Sequence, residues 1–511
     1  MTVFPRWARA RRTTAAAGAL LLASALTACT LSDTDPSPEP LESASVEADA
    51  ALARYYEQSL DWAECREGME CAEVEVPLDY ATPDGEVITL SVLKVPAERD
   101  DPVGALLVNP GGPGGSGVDY AAGAEDYFGD ALRSSFDIVG FDPRGVATSS
   151  PIDCLTDEQL DAFIASDPDP DTAQEVRSSD RLMRGFGRGC LQRSGDLTRH
   201  MSTEEAARDM DILRGVLGQD RLVYFGASYG TYLGATYADL FPERVGRLVL
   251  DGAIDPTMDS VETSLVQAEG FEVALEAYVA NCVDGGDCFL GGSVEEGLGT
   301  IRGLLDRADA DPLPGDGERV LTQGLAVLGI WAPLYNRDYW PALDAALSAA
   351  LSGQGRTLLS FADSYVGRGP DGYIDNSSEA LYAVNCLDHD EAVTYQEATE
   401  LEDEFLAASP TFGRVFAFGL TACGQWSVHT GKGPKELTAS GAAPIMVVGT
   451  SRDPATPLSW AEALAEQLES GVLVRRDGDG HTGYLAGNEC VDDVVESYLV
   501  SGEVPKDTVD C

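Results

Sequence analysis

Residues 221–241 read RLVYFGASYGTYLGATYADLF. A short apolar run the length of a buried strand enters a Gly-Ala-Ser-Tyr-Gly turn, and a stretch with helical spacing leaves it. Gly226 and Gly230 let the backbone fold back sharply with no Cβ in the way, and Gly230 and Gly234 let the helix lie close to the sheet. Ser228 is then held at the carboxyl end of a strand above a helix N-terminus, where open parallel sheets bind ligands. A serine so placed either caps the helix or acts as a nucleophile, and its distant partners decide between the two.

Similar runs lie on either side. CAEVEVPLDY and GEVITLSVLKVPA alternate in β fashion around the turn TPDG, followed by ALLVNP, FDIVGFDPRG and VGRLVLDG, and much later by APIMVVGTSRDP and GVLVRRDGDGH. Helical stretches such as TEEAARDMDILRGVLG separate the later ones. This alternation predicts an α/β fold, a mostly parallel sheet with helices on both faces, built from residues 56–255 and 440–511. Residues 256–439 carry apolar residues at three- and four-residue intervals, as in VETSLVQAEGFEVALEAYVANC. They predict a helical cap inserted after the sixth strand, over the strand ends.

A serine hydroxyl is too weak an acid to attack unaided near neutral pH and needs a base. Of the 4 histidines, His481 is the best placed, in the glycine-rich loop DGDGHTGY after the last strand. His200, before a helix, and His389 and His429, in the helical insertion, suit surface or packing roles. The histidine in turn needs a carboxylate to fix its tautomer. Asp453 ends the strand PIMVVGTSRD, and the order Ser228, Asp453, His481 is that of a nucleophile–acid–base triad on an α/β sheet. Asp251, after the strand LVLDG, is the second candidate. Asp477 and Asp479 are restricted by the loop they share with His481. For a developing oxyanion, the N–H of Tyr229 is one donor, and Gly112 in LLVNPGGPGGSG is the second. That glycine-rich loop has no Gly-Lys-Ser/Thr ending and no GxGxxG run opening a helix, so it does not read as a phosphate cradle.

Composition narrows the class further. The 511 residues include 86 Asp and Glu against 34 Lys and Arg, a formal net charge of −52, which excludes nucleic acid as the expected partner. At 44% hydrophobic residues the chain is no disordered acidic polymer. The negative field is expected to favour the imidazolium form of His481 and raise its pKa.

At the N-terminus, Arg6, Arg9, Arg11 and Arg12 precede an apolar stretch, ending Leu26-Thr27-Ala28-Cys29. It resembles a bacterial lipobox, which predicts a signal peptide over 1–28 and lipidation of Cys29. Two acyl chains there would hold the protein on a membrane, at the outer face of the cytoplasmic membrane with some released. Residues 29–55 read as the lipidated end and a polar tether. The Arg11-Arg12 pair leaves the export route open. Of 11 cysteines, setting Cys29 aside leaves an even set, the mark of disulfides in an exported chain. Neighbouring cysteines would pair as Cys65–Cys71, Cys154–Cys190, Cys282–Cys288, Cys386–Cys423 and Cys490–Cys511. Without a CxxC pair, and with scattered histidines, no metal is expected.

Taken together, NPGGPGGSG, FDPRG, GASYG, GTSRDPATP and GDGHTGY resemble the α/β-hydrolase serine exopeptidases of the proline iminopeptidase and tripeptidyl aminopeptidase group, over about residues 60–511. The resemblance implies Ser228, Asp453 and His481 as catalytic residues, Gly112 and Tyr229 as the oxyanion hole, no cofactor, and a peptide substrate cleaved from its free N-terminus by a monomer. One departure is Ala147 in DPRGVATSS, where the family's loop carries glycine; Arg144 beside it reads as a structural turn residue. Recognition of an α-ammonium calls for carboxylates at fixed depth from Ser228, with Asp388 and Asp390 as candidates. The alternatives are an esterase or amidase on the same fold, and a non-catalytic peptide-binding lipoprotein.

Overall fold

The computed structural model describes residues 51–511 apart from Asp390, Ser427 and His429. The expected signal peptide, Cys29 and most of the tether lie outside the described residues, as do Asp390 and His429.

Ten strands form one sheet: β1 (Ala63–Arg66), β2 (Met69–Pro77), β3 (Val87–Val95), β4 (Gly104–Asn109), β5 (Phe136–Phe141), β6 (Leu222–Ala227), β7 (Val245–Asp251), β8 (Ile445–Arg452), β9 (Gly471–Asp479) and β10 (Val509–Asp510). Their spatial order is β1-β2-β3-β5-β4-β6-β7-β8-β9-β10. From β5 to β10 neighbours run parallel, while β1, β2 and β3 form an antiparallel edge. The short β1, paired to β2, had no counterpart in the strand pattern read from the sequence, so the cap enters after the seventh strand in chain order.

Alternation along the parallel strands separates two cores. Leu107, Tyr224, Leu248, Leu250 and Val447 face one side with Ala207, Met210, Leu233 and Leu464 of the covering helices. Leu106, Val108, Phe225, Val249 and Val448 face the other, under Val118, Val491 and Val495. The strand order turns back at β4: the chain leaves it for β5 on one side and returns as β6 on the other. The loops after β4 and β6 therefore diverge, opening the crevice where such sheets bind ligands.

Above that crevice lies the helical insertion, from Ser260–Asp284 to Gly413–Gly419, with its own apolar core of residues such as Leu275, Ile301, Ile330, Leu343 and Leu358. A second insertion joins it. Helices Asp157–Ile164 and Ala173–Ser194, between β5 and β6, dock onto the cap helix Ser377–Asp388, where Glu379 accepts hydrogen bonds from the N–H groups of Cys154 and Leu155, each 2.8 Å. The five cysteine pairs form as adjacency suggested: Cys65–Cys71, Cys154–Cys190, Cys282–Cys288, Cys386–Cys423 and Cys490–Cys511.

Candidate active site

At the end of β6 the backbone turns through Ser228, whose φ of 56° and ψ of −126° hold a non-glycine residue in strained territory. The turn is as tight as its glycines permit. A Cβ on Gly226 would lie 2.3 Å from the carbonyl oxygen of Gly230. Ser228 N–H donates to the carbonyl of Asp251 at 2.8 Å, tying the elbow to the end of β7. The Ser228 hydroxyl does not cap the helix Tyr229–Leu240. The reading of this serine as a simple helix cap is therefore not what the geometry displays.

Asp453 and His481 are brought together from the ends of β8 and β9. His481 Nδ1 lies 2.8 Å from Asp453 Oδ1 and 2.9 Å from Oδ2. Asp453 is 1% exposed, and its charge is met by further donors. The N–H groups of Ala455, Thr456 and Thr482 reach it at 3.0, 2.9 and 3.0 Å. Thr456 Oγ1 donates to Asp453 Oδ2 at 3.1 Å and sits 3.2 Å from His481 Nδ1. Thr456 was missed in the sequence, although its position three residues after Asp453 is the spacing at which a turn aspartate bonds the chain ahead of it. Burial pushes the imidazolium of His481 down, but the Asp453 charge and hydrogen bond, with Asp251 adding to them, outweigh it and raise the pKa above the ordinary value. His481 Nε2 is buried and bonded to no described group.

Asp251 has a different task. Its carboxylate accepts from the N–H groups of Gly483 and Tyr484 at 2.7 and 2.9 Å, so it holds the loop carrying His481 rather than the imidazole itself. Burial pushes its carboxyl up to about 6, against the pull of those two N–H groups. Gly252, the next residue, would bring a Cβ within 3.2 Å of His481 Cε1. Through Asp251 and Gly252 the elbow and the histidine loop thus share one support. Asp477 and Asp479 are engaged elsewhere, with Arg452, and Asp479 also with Arg337.

The glycine loop after β4 closes on the elbow. A Cβ on Gly111 would lie 2.8 Å from Ser228 Cβ and 2.9 Å from Tyr229 N. Gly112, with φ of 117°, lines the cavity together with Ser228 and Tyr229. Tyr229 opens its helix, so its N–H has no intrahelical acceptor. The loop after β4 and the start of the helix Tyr229–Leu240 thus meet beside the serine.

The cavity holds about 540 Å³ and is walled by the core, the cap and the second insertion. Asp388 stands in its wall. Burial raises its carboxyl above the usual range, while Thr203 holds it through N–H and Oγ1 at 2.9 and 2.5 Å. Thr203 Oγ1 also bonds the hydroxyl of Tyr229. Glu391 lines the same wall with its buried Oε2 bonded to no described group, as does His389 with its Nδ1. Glu391 gave no sequence signal, since it lies in an irregular stretch and only tertiary packing turns it inward. His200 is paired with Glu205 at 2.9 Å, and with Asp79 these three are the described residues whose spacing could hold a metal ion. Arg144 is buried, and its guanidinium lies 3.8 Å from Glu205.

Residues 104–298 match the model of the alpha/beta hydrolase fold, and residues 409–511 that of the TAP-like proteins. The chain is 35% identical over 476 residues to the serine protease Hip1 of Mycobacterium tuberculosis, covering 89% of this chain and 91% of that one. It is also 35% identical over 467 residues to carboxylesterase B of the same organism, covering 88% and 89%. Identity to the tripeptidyl aminopeptidase of Streptomyces lividans is 31% over 483 residues, covering 90% and 88%.

Proposed function

Given that the chain belongs to the α/β-hydrolase family with a TAP-like C-terminal part, we propose that it is a serine exopeptidase removing short peptides from a free N-terminus. The observation that carries this reading is the Asp453–His481 pair, its Nε2 bonded to no described group, together with the strained Ser228 elbow, which lines a walled cavity along with the carboxylates of Asp388 and Glu391.

Ser228 Oγ attacks the scissile carbonyl while His481 Nε2 takes its proton, and Asp453 stabilises the imidazolium. The N–H groups of Gly112 and Tyr229 hold the oxyanion, each supporting the transition state by about 3–4 kcal/mol as in comparable sites. Collapse breaks the C–N bond as Nε2 returns the proton to the leaving amine. Water, deprotonated by the same nitrogen, then attacks the acyl carbon, and the bond to Ser228 Oγ breaks as Nε2 returns the proton to that oxygen. Asp388, with Glu391 added from the structure, receives the substrate's α-ammonium. The cap, residues 256–439, closes the cavity at fixed depth.

The five disulfides support an oxidising compartment and export. We further propose extracytoplasmic action by a monomer, anchored through lipid on Cys29. The test compares wild type with Ser228→Ala on peptide libraries with free and with acetylated N-termini, read by mass. Cleavage of free peptides alone, lost in the variant, is expected. Equal cleavage of acetylated peptides would sink the exopeptidase reading. Similarity to a carboxylesterase favours a second reading, an esterase, which turnover of simple esters without any peptide cleavage would establish.

A further inference from the structure

Two stretches of the cavity wall differ in chemistry, and each connects to a different reacting group, which points to opposite sides of the scissile bond. The carboxylate stretch is reached through the helix that carries an oxyanion donor: Tyr229 hydroxyl to Thr203, and Thr203 to Asp388. The other stretch begins at the base. The ring of Tyr335 stands edge-on to the imidazole of His481, 5.1 Å between centroids, and the Tyr335 carbonyl accepts from His481 N–H at 2.9 Å. From Tyr335 an aromatic wall continues to Phe271 at 6.0 Å, from Phe271 to Trp331 at 4.5 Å, and from Trp331 to Phe416 at 4.9 Å. All four line the cavity. Trp331 Nε1, like those of Trp340, Trp426 and Trp460, is buried and bonded to no described group, and Trp331 is part of the cavity lining.

His481 Nε2 must hand its proton to the leaving amine. The departing chain is therefore the one flanked by what packs against the imidazole, and here that is Tyr335, from which the aromatic wall extends. We propose that Phe271, Trp331, Tyr335 and Phe416 form the subsite for the residue that follows the scissile bond and select a large apolar or aromatic side chain there. Trp331 Nε1 donates to a main-chain carbonyl of the departing peptide. This assignment rests on the exopeptidase reading and adds to it the identity of the leaving side.

The test uses the full chain and free-N-terminus peptides that share the residues before the scissile bond and vary only the next one, as Gly, Ala, Leu or Phe. The readout is kcat/KM by mass spectrometry. Wild type is expected to favour Phe and Leu over Gly by about 10- to 100-fold, the range a hydrophobic pocket supplies. Trp331→Ala is expected to collapse that ratio to a few-fold. Trp331→Phe, which keeps a ring and loses the donor, is expected to retain the ratio while lowering kcat/KM for all four peptides alike. The wild-type profile tests the proposal even where Trp331→Ala does not fold. Cleavage of free peptides with no preference at this position would overturn the subsite and leave the exopeptidase reading standing. A preference that follows the residue before the scissile bond would overturn the side assignment. Cleavage of none of the peptides would overturn both readings.

Discussion

At the scale of single residues, His481 can act as a base only when neutral. Its pKa is depressed by burial and raised more strongly by Asp453 and Asp251, and the net direction is upward. A base with a raised pKa loses activity as pH falls through that raised value. The acidic limb of kcat/KM is therefore expected to have its midpoint above the ordinary imidazole value of about 6.5. Asp251→Asn removes one of the two charges, so its midpoint is expected at lower pH than in wild type; titrating both proteins with one peptide checks this, and an upward shift would contradict it. Thr456 Oγ1 bonds Asp453 and touches the imidazole. Thr456→Val is expected to lower kcat by about tenfold, worth about 1.4 kcal/mol, with KM little changed, because the hydroxyl orients the pair rather than binding peptide. Ala147 illustrates a departure legible in sequence and explained in structure: its φ is 44°, the left-handed region a glycine would occupy at less cost. Its N–H is fixed by Asn376 Oδ1 at 2.8 Å.

Elements are held together by buried polar fasteners that the linear pattern only hints at. Arg144, in the turn after β5, donates to both oxygens of Asp209 at 2.7 Å, and to the carbonyls of Pro77, Leu78 and His200 at 3.0, 2.9 and 2.9 Å. It thus joins the end of β2 to the helix Thr203–Val216, whose first residue holds Asp388. Arg144→Ala leaves Asp209 buried without its cation and is expected to cost about 3–5 kcal/mol in urea unfolding. Arg144→Lys is expected to recover only part of that, since an ammonium lacks the planar fork. The Cys386–Cys423 bridge pins the helix Ser377–Asp388 to the neighbouring wall segment that carries Cys423 and closes a sequence separation of 37. Replacing both cysteines by serine is expected to cost about 4 kcal/mol in the chain-entropy model and to raise KM for free-amine peptides more than it lowers kcat. A loss confined to kcat, with KM unchanged, would mean that this wall does not bind the substrate.

For the molecule as a whole, what could be read from the sequence and what could not follow one physical division. Ser228, Asp453 and His481 were legible because each ends an apolar run in a turn of small or polar residues, and a parallel sheet brings all such ends to one edge. The docking of the helices Asp157–Ile164 and Ala173–Ser194 on the cap, the inward turn of Glu391 and the His481 contact of Tyr335 were not, because they depend on packing between segments far apart in the chain. That packing couples the cap to the chemistry. Tyr335 in the cap accepts from His481 N–H, and the next turn places Arg337 on Asp479 at 2.6 Å, in the strand leading to the histidine. Movement of the cap at this seam is therefore transmitted to the loop that carries the base. Arg337 is largely exposed while Asp479 is buried and keeps Arg452 as a second partner. Severing the ion pair should then change global stability by no more than about 1 kcal/mol. Arg337→Ala is accordingly expected to lower kcat severalfold through a looser histidine loop, with urea unfolding nearly unchanged. An unaltered kcat would show that the seam contributes to neither the position of the base nor the closure of the site.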